Sequence, residues 1–228
     1  YAYKEQTKSV GTGVGTQLST YIPNRPWAFF TNLGLGYSYR IIDINGGHSY
    51  LLRDSYHDLV TSSVTASISY STINHPFKPS KGTKLAFSME YGGWQFGTDR
   101  PFMRSSWIFT KFENIADRHI FGLNLSYGYL RNLSDQPLAV YDLFRPGGEN
   151  TIRGYRYGQI GSFVKDNTGQ YLAVGGNKQF LANFEYQIKI ADPFRLVLFY
   201  DAGNAWGSGD KIFNRDEITP PGYTTPYK

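Results

Sequence analysis

Between Lys178 and Ile190 the chain alternates residue by residue. Phe180, Ala182, Phe184, Tyr186, Ile188 and Ile190 fall on one side, and Gln179, Leu181, Asn183, Glu185, Gln187 and Lys189 on the other. Successive residues of a β-strand point to opposite faces, so a period of two describes a strand with one apolar and one polar face. The pattern recurs upstream. Leu33, Leu35, Tyr37, Tyr39 and Ile41 oppose Asn32, Gly34, Gly36, Ser38 and Arg40, and Val64, Ala66, Ile68 and Tyr70 oppose Thr65, Ser67, Ser69 and Ser71. Leu85, Phe87, Met89 and Tyr91 oppose Lys84, Ala86, Ser88 and Glu90, and Phe121, Leu123, Leu125, Tyr127 and Tyr129 oppose Gly122, Asn124, Ser126 and Gly128. Weaker strands read at Val10–Ile22, Ser105–Asn114 and Arg195–Trp206. The total is about eight, each near the ~9–11 residues that cross a bilayer when tilted.

An all-β chain of this kind suits either a soluble sandwich or a membrane barrel. The polar faces carry Ser, Asn, Gln, Gly and charge, as in a wet lumen, and the apolar faces end in Tyr, as at a membrane interface. The connections read alternately short and long: around Pro23–Pro26, Asp43–Ser62, Thr72–Gly82, Gly93–Arg104, Ile115–Arg118, Leu130–Asn177 and Ala191–Phe194, then a long tail. Short turns on one rim and long loops on the other mark a periplasmic and an extracellular side. The 19 Tyr, 16 Phe and 25 Gly fit such a barrel. A mean hydropathy of -0.41 is too low for a helical membrane protein, and no apolar run approaches the ~18 residues that a spanning helix needs. The expected fold class is all-β, an antiparallel transmembrane β-barrel, with residues 1–228 in one domain and a long internal loop at 130–177. Eight strands in an open sheet would leave two unpaired edges, which lipid does not tolerate. Either they close on themselves or they belong to a larger barrel.

The longest connection holds Phe144-Arg145-Pro146-Gly147-Gly148-Glu149-Asn150-Thr151-Ile152-Arg153-Gly154-Tyr155. Gly147 and Gly148 permit a tight turn with positive φ. The apolar run around Arg153 suggests a segment tucked into a cavity, where a guanidinium needs an acceptor. Two carboxylates are available on the strands that follow. Glu185 lies on the polar face of its strand, and Asp201 lies opposite Leu196, Leu198 and Tyr200. A short turn joins the two strands, so Arg153 can bridge both acids with charge-assisted bonds.

The run Gly-Gly-x-x-Thr-Ile-Arg-Gly-Tyr resembles the sixth extracellular loop of the BamA superfamily. Ala173-Val174-Gly175-Gly176-Asn177 leading to Glu185, the Phe-Tyr-Asp201-Ala-Gly-Asn-Ala-Trp strand, and the turn Pro79-Ser80-Lys81-Gly82 match the same family. The resemblance runs from about Lys8 to Trp206. Tyr155 stands where many relatives have Phe, and the stretch between Gly161 and Val174 is short for the family. The resemblance implies a C-terminal outer-membrane barrel of sixteen strands, of which this chain covers roughly strands six to thirteen. The first and last strands and the periplasmic POTRA domains are expected to lie outside it, in keeping with a chain that begins at Tyr1. It implies a lock in which Arg153, Gly154, Tyr155, Gly147 and Gly148 engage the lumen carboxylates Glu185 and Asp201.

The expected function is therefore folding and insertion of β-barrel proteins into the outer membrane of a Gram-negative-type bacterium. The alternative is a TamA-like or two-partner-secretion pore of the same superfamily; a passive porin would lack this loop. Outer-membrane lipids, unfolded outer-membrane clients and accessory lipoproteins are the implied partners. No enzyme activity, cofactor or metal is expected. Glu185 and Asp201 have no His beside them, and His48, His57, His75 and His119 are scattered over loops and strand ends. Ser55-Tyr56-His57-Asp58 are neighbours on one loop and do not orient one another as a triad. Gly11-Thr12-Gly13-Val14-Gly15 lacks the strand-to-helix context of a phosphate loop and reads as a strand with lumen glycines. The Asp and Asn residues of Gly203–Glu217 do not fit calcium-loop spacing. A net charge of +5 without a basic block gives no reason to expect nucleic acid. With no Cys, no disulfide framework forms.

Overall fold

The computed structural model describes residues 4–45, 59–135, 138, 140–165, 171–191 and 194–207. Eight strands form one antiparallel sheet: β1 (Lys4–Gln17), β2 (Thr31–Asn45), β3 (Leu59–Ser71), β4 (Gly82–Gly92), β5 (Phe102–Ala116), β6 (His119–Asn132), β9 (Lys178–Ala191) and β10 (Phe194–Trp206). They run up and down in the order β1-β2-β3-β4-β5-β6-β9-β10, with β1 and β10 at the two edges among the described residues. Between β6 and β9, β7 (Ser162–Lys165) and β8 (Tyr171–Gly175) form a hairpin of their own. No helix among the described residues is long and apolar enough to cross a membrane.

The register aligns like with like. Leu33, Ile68, Phe87, Trp107, Tyr127 and Phe180 are successive direct partners across β2, β3, β4, β5, β6 and β9. Within this row the Trp107 ring lies 5.2 Å from Phe87 and 5.5 Å from Tyr127. A slip of one residue would turn every one of these side chains to the other face, so the alternation itself fixes the pairing. The apolar face stays open: Val10 is 75% exposed and Leu198 57%. Water would penalise so large an apolar surface, whereas a bilayer accepts it once every strand is paired.

The buried core lies on the opposite, polar face, where the β6–β9 connection folds over the sheet. Phe102 and Leu130 from the sheet meet Leu138, Leu143 and Val174 from the connection, with Phe144 packed against them. Backbone pairs close its base: Phe144 and Gly176 exchange hydrogen bonds of 2.8 and 2.9 Å, and Leu130 N donates to Asn177 O at 2.7 Å. Gly128 makes this docking possible. A Cβ there would sit 2.7 Å from the Phe144 ring. Gly128→Val should therefore lift the base of the loop off β6, at a cost of roughly 1–3 kcal/mol typical of overpacking. A lowered midpoint of thermal unfolding of the barrel, measured by heat-modifiable gel mobility, checks this; an unchanged midpoint would count against the docking.

Three expectations need correction. Strands run from 11 residues in β4 to 15 in β2 and β5, so that all but β4 exceed the ~9–11 residues of a tilted bilayer crossing. The strand expected at Val10–Ile22 is Lys4–Gln17, and Leu18–Thr20 turns as a 3-10 helix, with Tyr21 N and Ile22 N both bonded to Leu18 O. Thr7, Lys8 and Ser9 put polar groups on both faces, which hid the start of the strand. The short/long alternation holds only in the second half of the chain. Connections 18–30, 46–58, 72–81 and 93–101 are of similar length, whereas 117–118 and 192–193 are only two residues long and flank the long 133–177. Segment 18–30 carries two 3-10 turns, Leu18–Thr20 and Pro26–Phe30, that lengthen what Pro23–Pro26 suggests is short. His48, His57, Ser55–Asp58, most of the tail and the end of the acidic stretch to Glu217 lie outside the described residues.

Candidate functional site

Gly147 and Gly148 have φ of 128° and 96°, and a Cβ on Gly147 would lie 2.2 Å from Arg156 O. Only glycine combines that φ with that approach. The turn is closed by Gly147 N donating to Thr151 Oγ1 at 2.8 Å and Gly148 N donating to Tyr155 O at 2.9 Å. Gly154, at φ 87°, reverses the chain after Arg153. Ile152 is buried at 3% exposure, so the turn is pinned by an apolar side chain on one side of Arg153.

The guanidinium reaches two strands. Nε and Nη2 of Arg153 donate to Asp201 Oδ2 and Oδ1, both at 2.7 Å, a bidentate fork; Nη1 donates to Glu185 Oε1 at 2.6 Å. The backbone N of Arg153 donates to Asp201 Oδ2 at 3.0 Å. Glu185 pairs with Phe199 and Asp201 with Asn183. The two acids are therefore diagonal neighbours on the hairpin, near enough for one planar cation to span. Hydrogen bonds to Asp201, then to Glu185, raise the pKa of Arg153 above its ordinary value against the opposing effect of burial. The site keeps its cation at every accessible pH.

Three further groups complete the arrangement. The Phe199 ring lies beneath the guanidinium, 3.9 Å from centroid to Cζ, a close cation–π contact. Asn183 donates from Nδ2 to Thr151 O at 2.6 Å and to Asp201 Oδ1 at 3.0 Å, joining loop to acid. Asn124 Nδ2 donates to Asn183 Oδ1 at 3.1 Å, and Thr110 Oγ1 lies 2.9 Å from Asn124 Oδ1, so a polar ladder crosses four strands to Asp201. On the other side Gln187 Nε2 donates to Glu185 Oε2 at 2.9 Å, and Arg195 Nη1 donates to Gln187 Oε1 at 3.0 Å. Arg195 also donates to the carbonyls of Pro79 and Lys78, at 3.1 and 3.3 Å, so the Pro79–Gly82 turn touches the same network.

The sequence named both acids but not Asn183, Gln187 or Phe199. Each sits two residues from an acid on the same strand face, and that spacing was the available signal. Tyr155 differs from the expectation of a tucked segment. It is 53% exposed and lines a cavity of about 660 Å³ with Ile152, Phe163 and Asp201. His119 lies at a strand end, with Nδ1 2.7 Å from Tyr186 Oη, and His75 accepts from the backbone of Phe77 and Lys78; neither lies on this network. No cluster of three metal-ligating side chains occurs among the described residues.

The family model for the Omp85 superfamily domain matches residues 1–219. The chain belongs to the Omp85 superfamily. Among curated relatives of this Omp85 chain, the outer membrane protein assembly factor BamA of Nitratidesulfovibrio vulgaris is 25% identical over 199 residues, 85% of this chain and 25% of that protein. BamA of Neisseria meningitidis is 33% identical over 91 residues, 37% of this chain and 11% of that protein. A sorting and assembly machinery component 50 homolog of Xenopus tropicalis is 24% identical over 165 residues, 68% of this chain and 34% of that protein. The chain thus spans between about a tenth and a third of these relatives' own length. The crystal structure of BamA from Haemophilus ducreyi lacking POTRA domains 1–3 superposes with a TM-score of 0.72 over 90% of this chain and 42% of that one. At 18% identity that likeness shows the fold alone: the sheet is built as part of a BamA barrel is.

Proposed function

We propose that this Omp85 chain is the wall and internal loop of an outer-membrane protein assembly factor. It would span roughly strands six to thirteen of a sixteen-strand barrel in the outer membrane of a Gram-negative-type bacterium. Unfolded outer-membrane proteins are its clients, membrane lipid bathes its apolar face, and accessory lipoproteins complete its complex. The loop 133–177 lies in the lumen, held there by Arg153, and keeps the wall in the shape that assembly needs. The observation that carries this reading is the single guanidinium bonded at once to Glu185 on β9 and Asp201 on β10. That arrangement also speaks for a structural rather than catalytic role of the two carboxylates: the guanidinium engages both oxygens of Asp201 and one of Glu185, the positions a reacting proton would use.

The names of the relatives, assembly factors and an assembly-machinery component, favour assembly over secretion of a dedicated partner. Depleting the full-length protein from its host separates the two. An assembly factor predicts loss of many unrelated folded outer-membrane barrels together. Loss of one secreted protein, with the other barrels intact, would support a translocation pore instead.

A further inference from the structure

A second ionic cluster lies on the inner face, apart from Arg153. Arg104 of β5 donates from Nη1 to Glu90 Oε2 of β4 at 2.8 Å. Its Nη2 donates to both the backbone carbonyl and Oδ1 of Asp142, at 3.0 and 3.2 Å. Arg40 of β2 places Nη2 3.7 Å from Glu90 Oε1 and 3.8 Å from Asp142 Oδ1, and Ser63 Oγ of β3 donates to Glu90 Oε1 at 2.7 Å. Asp142 is the one member that belongs to the loop. It ends a 3-10 turn, Val140–Asp142, immediately before the buried Leu143, and its side chain is 5% exposed. Burial drives its carboxyl above the ordinary range, and the Arg104 and Arg40 guanidiniums are what oppose that. A carboxylate so enclosed is tolerated only because it is paired.

We propose that Asp142 is a second anchor of the loop, independent of Arg153, and that the two anchors make the loop a strut across the inner face. The Asp142 end ties to β2, β4 and β5, and the Arg153 end ties to β9 and β10, with β6 between them. Apolar packing of Leu143 and the Phe144–Gly176 backbone pair seat the base of the loop, and Asp142 adds ionic contacts to β5 and β2 beyond it. Two sets of charge-assisted bonds on separate strands fix its direction and set the angle between the two parts of the wall. The two arginines and two acids balance in charge, although Arg40 contributes by ionic proximity alone, its buried Nε and Nη2 making no hydrogen bond. Asp142 is thus a positioning residue, and its value for assembly rests on the function proposed above.

The test uses the absence of cysteine from these 228 residues, with any cysteine elsewhere in the full-length protein replaced by serine. Leu143→Cys in the full-length protein, in native outer membranes, reports the loop base through its reaction with a membrane-impermeant maleimide. Asp142→Asn should raise the labelling rate about tenfold, equivalent to about 1.4 kcal/mol of local stability. Asp142→Glu should restore most of the protection, and Arg104→Ala should act as Asp142→Asn does. Should Arg104→Ala prevent folding, judged by loss of the heat-modifiable band, the two Asp142 variants suffice. Equal labelling of Asp142→Asn and the parent would overturn the anchor. Levels of folded outer-membrane clients, measured in parallel, address the assembly function alone. Faster labelling with unchanged clients leaves the anchor standing and removes its link to assembly.

Discussion

Arg153→Ala should free the tip of the loop while the sheet remains paired. The substitution removes three side-chain hydrogen bonds to carboxylates and the stacking on Phe199. It also leaves Glu185 and Asp201 facing each other without a cation, and the Asp201 side chain is only 2% exposed. Hydrogen bonds to charged groups contribute about 1.5–3 kcal/mol each, and removing one member of a buried pair costs about 3–5 kcal/mol. Arg153 and Glu185 are about a quarter exposed, so solvent screens part of this. A loss of roughly 2–4 kcal/mol in local stability of the loop is the expected result. Arg153→Lys should recover little, because a point charge cannot form the fork to Asp201 and the bond to Glu185 together. The readout is maleimide labelling at Ile152→Cys, a position buried in the parent. Labelling that does not change with Arg153→Ala would mean that the apolar contacts hold the tip unaided.

Gly147→Ala should act nearly as strongly by a different route. An alanine there must adopt φ near 128° and place its Cβ 2.2 Å from Arg156 O, so the turn that presents Arg153 must open. Strain of this kind costs about 1–3 kcal/mol before any contact is lost, and opening the turn also breaks the bond from Gly147 N to Thr151. Gly154→Ala is the internal control. Gly154 has a positive φ of 87°, but a methyl group there would meet nothing within 4 Å, so only the backbone strain remains and the effect should be smaller. The order of loop exposure, Gly147→Ala above Gly154→Ala above the parent, checks the account. Equal effects of the two substitutions would show that the close approach to Arg156 does not matter.

Much of the fold is legible because a period of two is a local property. Phe180 to Ile190 declares its faces without reference to any other strand, and so do the segments around Tyr37, Ile68 and Phe87. The pairing of Arg153 with Glu185 and Asp201 is legible for a related reason: alternation places both acids on polar faces, and a connection of two residues makes their strands neighbours. The network around them is less visible. Asn183 and Phe199 matter because register sets each directly opposite one of the acids, and register is a property of two strands. The Asp142 cluster is less visible still, since its four members come from β2, β4, β5 and the loop, far apart in sequence and joined only by folding. Leu181 reads as an exception on a polar face, yet it is buried in the folded chain.

In the function proposed above, Arg153 holds the loop in a form that protein assembly requires. The most direct test of this is the amount of folded, heat-modifiable outer-membrane barrel protein in cells whose only copy carries Arg153→Ala, compared at equal membrane levels of the variant and the parent. A several-fold drop in folded clients is the expected result, with Arg153→Lys only slightly better. Clients at the parental level, with the variant protein present and inserted, would contradict it.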